Sequence, residues 1–179
     1  MEKIKQVEFE LESVCPLLMD KWNDESKAKT DDEYREEAMQ KIFRDEKGNI
    51  SIEAKAVEAV IKAGSSEIGK KMAAKKNRQM VSAGVFIKPL FLNIGKKEPD
   101  CIKKDIVTRK GQGDKVTRVP TYRPMFNEWT VKGKIDLIGV EPSFVRQALE
   151  VGGLKYGLYG YRPKFGRFIV RKFIEVNTK

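Results

Sequence analysis

The chain has 179 residues, with 36 Lys+Arg against 26 Asp+Glu, no histidine and two cysteines. That length suits one domain with room for a protruding arm, and 40% hydrophobic residues suffice for a core. Without histidine there is no His-based triad, no imidazole acid–base chemistry and no His-containing zinc site. Cys15 and Cys101 alone cannot build a thiolate cage, so no metal and no cofactor is expected.

No apolar run approaches the roughly 20 residues that cross a bilayer, and Met1-Glu2-Lys3-Ile4 does not begin a signal peptide. A soluble cytoplasmic protein with no membrane partner is the expectation. The net charge of +10 is regional: residues 1–69 carry 11 basic and 17 acidic side chains, residues 70–134 carry 17 and 5, and residues 135–179 carry 8 and 4. A basic middle beside an acidic start points to a polyanion as partner, and nucleic acid is the commonest one.

In chain order, Val7 to Leu11 alternates apolar and polar residues and predicts a strand with one buried face. Thr30-Asp31-Asp32-Glu33 has capping-box spacing, and Tyr34, Ala38, Ile42 and Phe43 extend a helix from about Asp31 to Arg44. The alanine-rich run Glu53 to Ala63 predicts a second helix with Gly64 as its C-cap. Ser65 and Ser66 are expected to cap a further short helix that carries Lys70, Lys71, Lys75, Lys76 and Arg78. Ala83 to Ile94 reads as a central strand, with Pro89 at an edge position or bulge.

Asp105 to Arg109 and Lys115 to Val119 are two β-prone runs around Lys110-Gly111-Gln112-Gly113-Asp114, a hairpin with a glycine-rich tip. Its strands carry more basic than apolar side chains, so it is expected to project as an inserted arm over 96–125. Phe126 to Val140 returns to a strand signature, which Lys132-Gly133-Lys134 bends or turns. Pro142 begins a helix ended by Gly152-Gly153, and Arg167 to Val176 closes as a strand.

Without the insertion, the order strand, helix, strand, strand, helix, strand is that of an α+β chain. The expected fold is a ferredoxin-like βαββαβ core with extra helices and an inserted β-hairpin, residues 1–179 forming one domain. Between the last helix and the last strand lies Gly152-Gly153-Leu154-Lys155-Tyr156-Gly157-Leu158-Tyr159-Gly160-Tyr161-Arg162-Pro163-Lys164-Phe165-Gly166-Arg167-Phe168. Its glycines admit close backbone approach, and its tyrosines and cations supply stacking faces and phosphate partners.

This segment resembles the glycine-rich loop of the RAMP superfamily, the RNA-binding subunits of CRISPR complexes. That loop has the form G-hydrophobic-G-x5-G-hydrophobic-G. Here Gly157-Leu158-Tyr159-Gly160, five residues and Gly166-Arg167-Phe168 stand in its place, with the first spacing one residue longer and Phe168 for the last glycine. Ile50-Ser51-Ile52 before an alanine-rich helix is similar to the family's approach to its first helix, though the small-Gly-Arg sequence usual there is absent. The hairpin after Lys104 looks like the inserted thumb of the backbone subunits. The resemblance implies an RNA-binding, repeating backbone-like subunit.

The residues expected to bind nucleic acid are Lys70, Lys71, Lys75, Lys76, Arg78, Lys103, Lys104, Arg109, Lys110, Lys115, Arg118, Arg123, Tyr156, Tyr159, Tyr161, Arg162, Lys164 and Arg167. The expected partner is single-stranded RNA, with DNA second, held alone, in a homo-oligomer or in a larger nucleoprotein complex. Two other readings are a small phage or mobile-element protein that binds or inhibits such a complex, and a metal-independent endoribonuclease using Tyr156, Tyr159, Lys155 and Lys164. Lysine and tyrosine ordinarily titrate near 10, so the nuclease needs large pKa shifts. No catalytic residues are expected.

Overall fold

The computed structural model describes residues 4–22, 28–110 and 116–176. Strand β1 (Lys5–Ser13) buries Val7, Phe9 and Leu11 on one face, as its period of two requires. After the two-residue strand β2 (Leu17–Leu18) comes helix α1 (Asp31–Gln40), which has the expected Thr30–Glu33 capping box but ends four residues before Arg44. Strand β3 (Ser51–Glu53) leads into α2 (Ala54–Ser65). A 3-10 turn (Lys71–Ala73) and α3 (Ala74–Gly84) follow, then β4 (Val85–Lys88) and β5 (Phe91–Asn93). The arm is β6 (Cys101–Lys110) and β7 (Val116–Phe126), and the chain closes with β8 (Thr130–Leu137), α4 (Pro142–Lys155) and β9 (Phe168–Val176).

The central sheet is antiparallel in the order β4-β8-β1-β9. With α2 between β1 and β4, and α4 between β8 and β9, this is the ferredoxin-like βαββαβ arrangement, an α+β fold. Val57, Val60 and Ile61 of α2, with Val145, Ala148 and Leu149 of α4, join Val7, Phe9, Leu11 and Phe168 in one core.

Four local expectations change. Ala83 to Ile94 is two strands rather than one central strand. Pro89 has no N–H to continue a ladder, so β4 stops at Lys88 as an edge of the main sheet, and β5 pairs with β3 in a separate ribbon. Gly64 does not cap α2, and Gly152-Gly153 does not end α4. All three lie inside helices, where a Cβ on Gly64 would meet the Ala148 carbonyl, one on Gly152 the Val60 carbonyl, and one on Gly153 the Phe168 ring at 2.6 Å. Bare backbone is what lets α2, α4 and β9 come together.

Ser65 and Ser66 do not cap the next helix; both hydroxyls donate back to the Lys62 carbonyl, at 2.8 and 3.3 Å. Gly133 neither bends nor turns β8. It pairs with Phe9, whose ring fills the space a side chain there would take.

The arm is longer than the runs that announced it. Its strands pair from Cys101↔Met125 to Lys110↔Val116, and β2 joins β7 through Leu17↔Phe126 and Leu18↔Met125. Its base is seated on α1: Tyr34 stacks on Tyr122 with centroids 5.4 Å apart, the Tyr122 hydroxyl donates to Asp31 at 2.7 Å, and Lys104 pairs with Asp31 at 2.9 Å. Both donors hold the Asp31 carboxyl below the ordinary carboxylate range, the Tyr122 hydroxyl foremost.

Candidate nucleic-acid interface

The arm has two unlike faces because alternate residues point opposite ways. Lys104, Ile106, Pro120 and Tyr122 share the face toward α1, whereas the register pair Lys103↔Arg123 lies on the other. Against that second face sits the glycine-rich loop. The Gly160 N–H donates to the Leu18 carbonyl at 3.1 Å, the Gly166 N–H to Pro16 at 2.8 Å, and the Leu158 N–H to Gly166 at 2.9 Å, so the loop is stitched to β2 and to itself. Gly157 and Gly166 have φ of +70° and +76°, a region that side chains avoid, and Gly166 has no room for a Cβ beside Leu158.

Tyr159 and Tyr161 also have positive φ, 55° and 52°, which costs a non-glycine residue on the order of 1 kcal/mol each. Tyr159 turns inward. Its ring stacks on Phe43 with centroids 4.8 Å apart, its hydroxyl oxygen accepts the Glu53 N–H at 2.8 Å, and burial pushes its pKa up. Tyr161 turns outward, 40% exposed, with the Arg123 guanidinium 4.6 Å from its ring centroid and Phe165 beside it at 6.5 Å. Lys103 Nζ lies 6.0 Å from the Phe165 ring, and Asp105 pairs with it at 3.1 Å.

Arg123 is oriented by Asp20, whose carboxylate accepts from Nε at 2.7 Å. Its Nη1, like Arg167 Nε, is buried without a hydrogen-bond partner among the described residues. A buried donor left unmade costs about 1–3 kcal/mol. The Arg167 backbone is held, its N–H donating to Cys15 Sγ at 3.2 Å and its carbonyl accepting from Val14 at 3.0 Å. Arg162 and Lys164 project into solvent from the loop, and Arg118 from the arm.

The other expected residues lie elsewhere. Tyr156 and Lys155 both donate to Glu67 at 2.6 Å, tying the end of α4 to the turn after α2. Those bonds raise the pKa of both donors, so Lys155 stays an ammonium and Tyr156 a phenol at neutral pH. Neither is set to take a proton from a 2′-hydroxyl. Lys70, Lys71, Lys75, Lys76 and Arg78 are exposed on the 3-10 turn and α3, which pack on α2 and not on the arm or the loop. Lys104 faces α1. Lys115 lies outside the described residues, and of Arg109 and Lys110 only the backbone is described.

Sequence reasoning omitted Phe165, although an aromatic within a Gly/Tyr/Arg loop was signal enough. It also omitted Asp20, whose role depends on a register 103 positions away. Among the described residues no cluster of three His, Cys, Asp or Glu could hold a metal, and no helix is long and apolar enough to cross a membrane.

No protein-family model matches the sequence, and no curated protein matches it. Among solved structures, a chain in the cryo-EM structure of the Type III-B Cmr-beta bound to cognate target RNA matches with a TM-score of 0.61 at 13% identity, over 98% of this chain and 61% of that one. The crystal structure of Cmr6 from Pyrococcus furiosus matches with a TM-score of 0.49 at 10% identity, over 94% of this chain and 99% of that one. The present chain thus spans about three-fifths of the Cmr-beta chain, and at these identities the likeness is one of fold. The fold is that of the RAMP-type subunits of CRISPR complexes.

Proposed function

We propose that this chain binds single-stranded RNA, without cleaving it, as a subunit of a larger CRISPR-type nucleoprotein complex. The observation that carries the reading is the convergence of the arm's outer face with the glycine-rich loop. There Arg123 lies over Tyr161 and Lys103 near Phe165, with Arg162 and Lys164 exposed beside them.

Exposed aromatic faces stack on unpaired bases, cations neutralise phosphates, and the glycines let the strand reach the backbone. An acceptor oxygen brought to Arg123 or Arg167 by the strand, with a small side-chain shift, would also recover their unmade hydrogen bonds. The fold match to a chain from an RNA-bound complex supports RNA as the strand.

The test is a fluorescence-anisotropy titration of the full chain with a 20-nucleotide single-stranded RNA and a DNA of the same sequence. RNA is expected to bind more tightly than DNA, and Arg162→Ala/Lys164→Ala to weaken RNA binding about tenfold. Absence of RNA binding, or an unchanged affinity in that variant, contradicts the proposal. RNA shortened during the titration contradicts its non-catalytic part.

A further inference from the structure

Helix α3 carries a second cationic surface that the arm and loop do not reach. Its inward side is set by Asn77, Met80, Val81 and Gly84, the i, i+3, i+4, i+7 pattern of one face. Asn77 Nδ2 donates to the Ser65 and Ile68 carbonyls at 3.0 and 2.9 Å, Val81 is buried, and a Cβ on Gly84 would strike the Ile138 carbonyl. The helix therefore cannot rotate about its axis. Lys75, Arg78, Gln79 and Ser82, the same pattern shifted, are held on the opposite side.

With Lys62 of α2 and Ala83 they line an open groove of about 590 Å³. No acidic residue lines this groove, and no carboxylate among the described residues pairs with Lys62, Lys75 or Arg78.

The contrast with the open face of the main sheet decides the matter. A groove of about 530 Å³ there is also rich in lysine, but Glu8 pairs with Lys134 and Lys172, both at 3.3 Å, Glu10 with Lys132 at 3.4 Å, and Asp136 with Lys88. Those charges are already answered. Those of the α2–α3 groove are not, and an unanswered cluster attracts an anion at the cost of few internal contacts.

We infer that the α2–α3 groove is a separate binding site for the phosphodiester backbone of a nucleic-acid strand, one that reads phosphates and not bases. From Lys75 to Ser82 the groove runs about two helical turns, roughly 10 Å, long enough for successive phosphates. Lys62 and Lys75 supply point charges, Arg78 a two-pronged donor, and Gln79 and Ser82 neutral donors to the remaining oxygens. No aromatic ring lines the groove, so it lacks the platform that holds bases at Tyr161. The inference shares a partner with the arm-and-loop reading but stands on different residues.

The experiment compares the wild-type chain, the triple variant Lys62→Ala/Lys75→Ala/Arg78→Ala and the loop variant Arg162→Ala/Lys164→Ala. Each is titrated with a 20-nucleotide single-stranded RNA and an abasic phosphodiester oligomer of equal length, at two salt concentrations. The three groove residues are exposed and unpaired among the described residues, and circular dichroism verifies that the triple variant folds.

The abasic oligomer is expected to bind the wild type and the loop variant alike. It should bind the triple variant at least tenfold more weakly, with a logarithmic salt slope shallower by about 2, three contacts at about 0.7 each. A wild type that ignores the abasic oligomer, or a triple variant that binds it unchanged, overturns the groove. RNA binding indifferent to the loop variant while the groove results hold overturns the arm-and-loop reading instead.

Discussion

Tyr159 and Tyr161 sit two positions apart in one loop, both with positive φ, yet one is spent on the core and the other faces solvent. The difference comes from partners distant in sequence: Phe43 and the Glu53 N–H for Tyr159, Arg123 for Tyr161. Two substitutions separate the roles. Tyr159→Phe leaves the Glu53 N–H without its acceptor, so urea unfolding should show a loss of about 1–3 kcal/mol while RNA affinity stays within about twofold. Tyr161→Ala should leave the unfolding midpoint nearly unchanged and weaken RNA binding by about 1–3 kcal/mol, the usual worth of one stacked base. If the two variants exchange these effects, the outward ring has been misassigned.

Between elements, the close approach of α2 to α4 rests on glycine. In an ordinary helix interior Gly→Ala stabilises by about 1 kcal/mol. At Gly152 the new Cβ meets the Val60 carbonyl, and forcing the helices apart costs about 1–3 kcal/mol or more. Gly152→Ala is therefore expected to lower stability in urea; a rise would mean that the helices separate freely.

The seat of the arm on α1 gives an acid prediction. Because the Asp31 carboxyl titrates below its ordinary value when folded, its contribution is complete above the ordinary carboxylate range and is lost as pH falls through the lowered value. Near-ultraviolet circular dichroism of the stacked Tyr34 and Tyr122 should report a loosening step in that acid window. The step should be absent from Asp31→Asn, whose amide cannot titrate; an identical step there removes Asp31 from the account.

Elements announced by local pattern were readable from the sequence. Period two marked β1, the Thr30–Glu33 box opened α1, and the paired β-prone runs announced the arm. Features set by tertiary partners were not. Gly64, Gly152 and Gly153 resemble helix stops until the facing helix or strand is in place, and nothing local distinguishes Tyr159 from Tyr161.

At the scale of the whole molecule, a net charge of +10 overstates what a nucleic acid meets and conceals where it meets it. Lys88, Lys132, Lys134, Arg171 and Lys172 belong to an ion-pair ladder on the sheet face opposite Val7, Phe9 and Leu11, each held by Glu8, Glu10, Glu12 or Asp136. To bind phosphate there, a strand would first have to break those pairs and would leave carboxylates facing its own charge. The cations without a carboxylate among the described residues include Arg118, Arg162 and Lys164 on the arm and loop, and Lys62, Lys75 and Arg78 in the groove.

If these six contact phosphates, the logarithm of RNA affinity should fall with the logarithm of salt at a slope of about −4, six contacts at about 0.7 each. Lys132→Ala/Lys172→Ala removes the same kind of charge from the ladder and should leave both slope and affinity unchanged within about twofold. A tenfold loss in that variant, with a shallower slope, would place the strand on the open sheet face and remove the arm and loop as its seat. An unchanged ladder variant beside a weakened Arg162→Ala/Lys164→Ala variant ties binding to unanswered charge and not to charge in total.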